Sequence, residues 1–199
     1  MKIRLFLLLT AAFAIFGNAQ AEIVVRDDAG RDVRLKAPAR RIVTLAPHSA
    51  ESLYAAGAGD YLIGTVEYSD YPAEAKKVPR VGGYSRIDLE AVAALKPDLV
   101  IAWQSGNAPT QVDKLEKLGL TVFITQPNLM EDVARQLENM GRLAGTQAVA
   151  NANAERFRQR LAELRRNNAE KPKVRTFYQI WKTPLMTVGG QQIITDAIR

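Results

Sequence analysis

Short apolar runs alternate with amphipathic stretches along most of the chain. Four runs cover residues 41–46, 61–66, 98–103 and 120–125. Runs without internal alternation are typical of strands that are buried on both faces. The stretches between and after them predict helices over residues 49–57, 88–96, 107–118, 129–144 and 147–169. Strands that alternate with helices indicate a parallel sheet covered by helices on both sides.

Local signals mark where several helices start and stop. Ser49 is suited to cap the first helix and Gly57 to end it, because Ser accepts a backbone hydrogen bond and Gly tolerates left-handed backbone. Asp88 is suited to cap the next helix, which ends before Pro97. These signals support the predicted alternation of helices and strands.

The two ends of this pattern differ from its middle. Residues 22–35, EIVVRDDAGRDVRL, alternate around a turn and predict a hairpin. The last predicted helix would be about 35 Å long, which exceeds the needs of a crossover in one small sheet. Pro172 ends it, and the run VRTFYQIW at 174–181 predicts a new strand.

We therefore predict an α/β fold with two Rossmann-like lobes, whose parallel sheets are joined by a long spine helix. The second lobe would be only begun in this chain. The predicted segments are a signal peptide (1–21), an N-terminal hairpin (22–40), an N-terminal α/β lobe (41–145), a spine helix (146–170) and the incomplete start of a C-terminal lobe (171–199).

The first 21 residues have the three parts of a secretory signal. Lys2 and Arg4 form a basic start, residues 5–16 are apolar, and Ala19-Gln20-Ala21 is a suitable cleavage site. The apolar part is too short to span a membrane. We expect a mature protein that begins at Glu22 and works in the periplasm.

Composition narrows the possible functions. The chain has no cysteine, which excludes a thiol nucleophile, a cysteine zinc site and a cysteine-linked lipid anchor. Removal of Lys2 and Arg4 lowers the formal net charge from +6 to +4. The most basic stretch, 156–175, also contains glutamates, so we interpret it as a solvated helix face and expect no nucleic-acid partner.

Residues 66–84, VEYSDYPAEAKKVPRVGGY, hold three tyrosines among prolines and glycines. This punctuation predicts loops rather than one regular element. Tyr68, Tyr71 and Tyr84 would then be held on loops. We interpret Tyr71, which precedes Pro72, as a packing residue, and the other two as candidate ligand contacts.

Four candidate ligand contacts follow the predicted strands or lie close to their ends. His48 follows the first strand, Tyr68 the second and Trp103 ends the third, while Tyr84 precedes a helix. Ligands of open parallel sheets bind beyond the carboxyl ends of the strands. Three aromatic rings and an imidazole suit a large ligand that is partly apolar. From position alone, Trp103 could equally cover the core, and His48 could hydrogen-bond nearby backbone.

These residues also carry a family resemblance. The stretches YSDYP, VGGY and LEAVAALKPDLVIAW, at their present spacing, resemble the N-terminal lobe of the Fe/B12 periplasmic-binding family, the helical-backbone substrate-binding proteins of ABC importers. The resemblance covers residues 40–185 and is strongest to the members that bind vitamin B12. It implies a monomeric carrier of cobalamin or a related corrinoid, with no enzymatic activity, no cofactor of its own and no resident metal.

The resemblance also implies roles for individual residues. Tyr68, Tyr84 and Trp103 would line the ligand cleft, and Trp181 would stand near the first aromatic of the second lobe. Glu90 would dock onto arginines of an inner-membrane ABC permease dimer, although position alone gives it a simpler role at a helix N-terminus.

Two alternatives remain open from the sequence. Carriers of ferric siderophores or haem share the implied fold, and Tyr84 or His48 could then ligate iron. An α/β enzyme that uses His48 and Asp70 is the alternative from another functional class; the chain lacks the common nucleophile and nucleotide-binding motifs.

Overall fold

The computed structural model describes residues 22–83 and 86–199. The predicted signal peptide and Tyr84 lie outside the described residues. The strands are β1 (Ile23–Arg26), β2 (Asp32–Leu35), β3 (Ile42–Thr44), β4 (Leu62–Gly64), β5 (Leu99–Trp103) and β6 (Val122–Thr125). The helices are α1 (Pro47–Ala55), α2 (Leu89–Ala94), α3 (Pro109–Lys117), α4 (Met130–Ala144), α5 (Gln147–Asn168) and α6 (Ile193–Ile198), with 3₁₀ turns at Gly59–Tyr61 and Ala73–Lys77.

The predicted parallel sheet is confirmed. Its strand order is β4-β3-β5-β6, and neighbouring strands pair in parallel, with Ile42 opposite Leu99 and Trp103 opposite Thr125. The predicted N-terminal hairpin is also confirmed, because β1 and β2 pair antiparallel. The carboxyl ends of the four parallel strands therefore share one edge of the sheet.

Both faces of the sheet are covered, as the continuous apolar runs predict. On β5, Leu99 and Ile101 pack into the core cluster that includes residues of the hairpin, α1, α4 and α5. Val100 and Ala102 point to the opposite face and join a cluster with residues of α2 and α3. All four side chains are fully buried, so this strand has no solvent-facing side before Trp103.

Two helix starts differ from the prediction. α1 begins at Pro47, and Ser49 lies inside the helix with a buried Oγ that has no hydrogen-bond partner among the described residues. Proline favours the first helical position because its φ is already helical, which moves the start two residues upstream of the predicted serine cap. α3 likewise begins at Pro109 and not at Asn107.

The predicted aspartate cap of α2 is correct. Asp88 Oδ1 accepts a hydrogen bond from the backbone N–H of Ala91 at 2.9 Å, which satisfies one of the free donors of the first turn.

α5 contacts the lobe through its first half. Ala150 and Ala154 are buried, and Ala150 lies so close to Gly141 of α4 that a Cβ on that glycine would overlap it. Further along, Arg158 forms ion pairs with Glu131 and Glu138 of α4. The 22 residues of α5 span about 33 Å, and its last turns are exposed. This agrees with a helix that leads away from the sheet.

The predicted strand at 174–181 is wrong for this structure. The segment has no strand partner, and an isolated bridge joins Trp181 to Met186. Strand hydrogen bonds require a neighbouring strand, and the described residues place none beside this segment. Its apolar side chains are exposed as a result, including Val174 and Phe177. Across the described ranges, no helix is both long and apolar enough to cross a membrane.

Candidate ligand-binding site

His48 and Trp103 meet at the carboxyl edge of the sheet. His48 lies in the first turn of α1, directly after β3, and Trp103 is the last residue of the neighbouring β5. Their ring centroids are 5.1 Å apart, and the ring planes make an angle of 85°. This edge-to-face arrangement is a favourable geometry for aromatic rings. The structure therefore brings together two of the residues that the sequence predicts at the site.

Asn107 fixes the backbone beneath this pair. Its side-chain oxygen accepts a hydrogen bond from the backbone N–H of Trp103 at 2.7 Å, and its Nδ2 donates to the carbonyl of Leu45 at 2.9 Å. The amide thus links the end of β5 to the chain leaving β3. Sequence reasoning assigned Asn107 to a helix and missed this role, because its partners depend on a contact across 62 residues.

Gly106 provides space for the indole of Trp103. A Cβ at this position would overlap the indole atoms Cε3, Cζ3 and Cδ2. The φ angle of Gly106 lies outside the left-handed region, so the backbone conformation does not require glycine here. Glycine is needed here because the indole ring lies too close to leave room for a Cβ.

His48 is a neutral, largely buried imidazole. Burial lowers its pKa to about 4, because removal from water disfavours the charged form. Its Nε2 is buried and has no hydrogen-bond partner among the described residues. The backbone hydrogen bond considered in the sequence analysis is therefore not made by this nitrogen.

Tyr68 occupies an unusual backbone conformation on the loop after β4. Its φ is 65°, which is a genuine outlier for a bulky residue, and its side chain is 73% exposed. The backbone N–H of the preceding residue, Glu67, donates to the carbonyl of Gly82 at 2.9 Å. Surrounding contacts thus hold a tyrosine in a strained conformation and leave its ring free.

Buried hydroxyl groups anchor the same loop to the sheet. Thr44 Oγ1 and Thr65 Oγ1 are 2.8 Å apart, and Thr65 Oγ1 donates to Ser69 Oγ at 2.8 Å. Arg80 donates to the carbonyls of Ser69 and Ala75 at 2.9 and 3.1 Å. These bonds connect the end of β3 with the tyrosine loop, so the loop is ordered without a ligand.

Other tyrosine-loop predictions have mixed outcomes. Tyr71 is 70% exposed, so its interpretation as a packing residue is wrong; the loop carries it outward. Asp70 forms an ion pair with Arg80 at 3.3 Å, and no contact between Asp70 and His48 is recorded. Tyr84 lies outside the described residues, and its role stays a prediction.

Glu90 lies in the first turn of α2, next to a shallow cavity of about 690 Å³. Its side chain is exposed. Glu67, Gly83 and Asp88 also line the cavity. The carboxylate is therefore available to a partner cation at the surface.

The N-terminal hairpin reaches the same edge of the sheet, which the sequence reasoning did not predict. The buried carboxylate of Asp27 accepts from the backbone N–H of Ile124 at 3.3 Å, and Asp28 accepts from that of Gln126 at 2.6 Å. Arg135 pairs with Asp28 at 2.5 Å. The Asp-Asp turn therefore fixes the end of β6. The sequence signals only a turn here, since the partners lie about 97 residues away.

Trp181 does not join the other candidate residues. It lies in the segment 171–199, is 61% exposed and bridges to Met186. No contact between Trp181 and His48 or Trp103 is recorded. Its predicted ligand role stays a prediction.

Comparison with known proteins identifies the family. A model of the periplasmic binding protein family matches residues 42–199, which includes the whole parallel sheet and its helices. The chain belongs to this family. The match confirms the resemblance that the motifs of the sequence indicate.

Curated relatives in this family carry the name vitamin B12-binding protein. That of Vibrio vulnificus is 40% identical over 163 residues, which are 82% of this chain and 60% of the relative. That of Vibrio cholerae is 41% identical over 152 residues, 76% of this chain and 55% of the relative. The chain thus spans 55–60% of the length of the curated relatives it matches.

Solved structures support the same fold. The periplasmic vitamin B12 binding protein BtuF of Vibrio cholerae matches with a TM-score of 0.76 and 39% identity over 80% of this chain and 62% of that one. A periplasmic haem-binding protein from Pseudomonas aeruginosa matches with a TM-score of 0.61 and 27% identity, over 66% of this chain and 47% of that one.

Proposed function

We propose that this protein is a periplasmic substrate-binding protein that carries cobalamin, or a related corrinoid, to an ABC importer. The observation that carries the proposal is the pair of aromatic side chains that follow the sheet, half-buried Trp103 at the end of β5 and exposed Tyr68 on the loop after β4, in a chain about 40% identical to vitamin B12-binding proteins. The described residues would supply one wall of the binding cleft.

In this proposal the aromatic side chains stack on the apolar face of the ligand. Trp103 and Tyr68 would make the main contacts on this wall, and Tyr84 and Trp181 are the further contacts that the family resemblance implies. Aromatic rings give a large contact area at a low entropic cost. Since the tyrosine loop is held by hydrogen bonds before the ligand arrives, the ordering cost of binding is small.

His48 would contribute through its contact with Trp103 and by excluding water from the edge of the sheet. A neutral imidazole suits an uncharged ligand surface. Its Nε2 is buried, so ligation of an iron centre by this atom would require the groups that cover it to move.

Haem is the second candidate ligand, because a haem-binding protein shares the fold at 27% identity. The higher identity to vitamin B12-binding proteins, about 40%, favours the corrinoid. The two ligands differ in the group that a binding site must supply, since haem iron requires an axial ligand from the protein.

Delivery to the importer would use Glu90. Its exposed carboxylate at the first turn of α2 is available to an arginine of a membrane-bound permease. Rim charges of this kind mainly improve orientation and the association rate. We expect Glu90→Gln to leave ligand affinity unchanged and to weaken permease binding, measured by co-sedimentation with the permease in nanodiscs.

The proposal is tested by titration with cyanocobalamin and, in parallel, with haemin. The residues that follow the matched region in the Vibrio cholerae relative are fused after residue 199, and the fusion is compared with its Trp103→Ala variant. We expect cyanocobalamin to bind, and Trp103→Ala to weaken binding by about 1–3 kcal/mol, by analogy with base stacking on aromatic side chains. Circular dichroism checks folding, and binding of haemin alone would contradict the proposal.

A further inference from the structure

We infer that Gly106 and His48 are positioning residues that hold the indole of Trp103 in one orientation at the sheet edge. The consequence for ligand affinity rests on the proposed function, whereas the orientation itself does not. Neither residue needs to touch the ligand for this role.

The absence of a side chain at Gly106 lets the ring lie directly against the backbone on one side. A Cβ at position 106 would occupy the space of the six-membered part of the indole. Because the φ angle of Gly106 is outside the left-handed region, an alanine here would fit the backbone, and the three atoms nearest to its Cβ all belong to the ring. The position therefore controls where the indole can lie.

His48 restricts the ring through a perpendicular contact. The centroid distance of 5.1 Å and the angle of 85° place the two rings edge to face. The imidazole Nε2 is buried without a hydrogen-bond partner among the described residues, which normally has a cost. The edge-to-face packing against Trp103 is therefore the contact through which this ring acts on its surroundings.

The backbone of Trp103 is fixed as well. Asn107 holds the N–H of Trp103 and the carbonyl of Leu45 in one hydrogen-bonded unit. Backbone and ring are therefore both constrained without a ligand. A side chain that is already ordered loses little entropy on binding, so the arrangement favours affinity as well as a single ligand pose.

The first test uses fluorescence without ligand. The chain contains two tryptophans, so Trp181→Phe leaves Trp103 as the sole reporter. In this background, Gly106→Ala should shift the emission of Trp103 to longer wavelength and raise its quenching by acrylamide. Gly190→Ala is the matched control, because nothing lies within 4 Å of a Cβ there and its φ is also outside the left-handed region; it should change neither quantity.

Substitutions of His48 extend this test. His48→Ala should also shift the emission and raise quenching, because the edge contact is lost. His48→Phe should restore both toward the original values, since it replaces one edge-to-face ring by another. Failure of the phenylalanine to restore them would overturn the role of the histidine ring.

A double-mutant cycle separates ring displacement from backbone effects. Gly106→Ala should lower the melting temperature of the original protein and have no effect in a Trp103→Ala background, because the colliding ring is then absent. Equal losses in both backgrounds, or an unchanged Trp103 emission in Gly106→Ala, would overturn the inference.

The last test adds ligand. Quenching of Trp103 by cyanocobalamin should require about 2- to 12-fold more ligand in Gly106→Ala than in Gly190→Ala, which corresponds to ordering one side chain on binding. Absence of quenching in the unsubstituted protein would contradict the proposed ligand. The fluorescence and stability tests without ligand would still decide the positioning role.

Discussion

The lobe around the sheet and the segment 171–199 contain similar apolar residues but bury them very differently. Phe123 on β6 is 1% exposed, whereas Phe177 in the final segment is 73% exposed. Both lie in apolar runs whose pattern predicts a strand. The difference is that β6 has β5 beside it, while the described residues place no strand beside Phe177. An apolar run becomes a strand only when a partner satisfies its backbone.

The largest expected effect compares these two phenylalanines. Phe123→Ala should lower the free energy of unfolding by about 3–5 kcal/mol, because it opens a cavity in a core that packs on both sides. Phe177→Ala should change it by less than about 0.5 kcal/mol, as expected for an exposed site. Urea denaturation followed by circular dichroism measures both. Similar losses for the two variants would mean that the final segment is packed in solution.

The next effect is the pH dependence of stability that comes from His48, a polar residue buried in the lobe. The pKa of His48 is lowered by burial to about 4, below the ordinary value near 6.5. The folded state therefore binds fewer protons than the unfolded state between these values. Stability from this group is fully present above about pH 6.5 and is lost as the pH falls toward 4, by about 3 kcal/mol in total.

The measurement is unusually direct, because His48 is the one histidine in the chain. An NMR titration of the imidazole should give its pKa without an assignment problem. His48→Gln should remove this part of the pH dependence of stability, so the difference between the two proteins should narrow from pH 7 to pH 4. A pKa near 6.5 would show that the ring is exposed.

A smaller effect concerns Tyr68, an exposed aromatic residue whose backbone the lobe holds in an unusual conformation. Tyr68 has a φ of 65°, a conformation that glycine adopts freely and alanine does not. Tyr68→Gly should therefore be more stable than Tyr68→Ala by about 1 kcal/mol. Thermal melts of the pair measure the difference. Equal stabilities would indicate that the loop relaxes once the tyrosine is removed.

The smallest expected effect is on the stability of the lobe when the final segment is removed. Deletion of residues 171–199 should change the free energy of unfolding by less than about 1 kcal/mol, since Asp196 holds the segment through a hydrogen bond from Met130 N and a long ion pair with the exposed Arg165. Dye binding by exposed apolar surface should fall. A large loss of stability would show that the segment supports the sheet.

The sequence predicts those features that depend on neighbours along the chain. The four strands of the sheet, the hairpin and the Asp88 cap follow from local pattern, and each is confirmed. The predicted serine cap fails for a local reason as well, because Pro47 starts α1 two residues earlier.

The site is predicted less completely, for a physical reason. Loop position alone suggests that His48, Tyr68 and Trp103 share an edge. The roles of Gly106 and Asn107 depend on where an indole ring and a distant carbonyl lie after folding. The spacing of residues along the chain does not predict such contacts, so the roles of these two residues are identified only from the structure.

The contact between the Asp27-Asp28 turn and the end of β6 bears on the order in which the chain can mature. The hairpin is made early during synthesis, but its docking partner Ile124 follows about 97 residues later. During synthesis, the docking surface of the hairpin therefore stays uncovered until most of the sheet has been made. Closing such a long loop is also a slow step in folding.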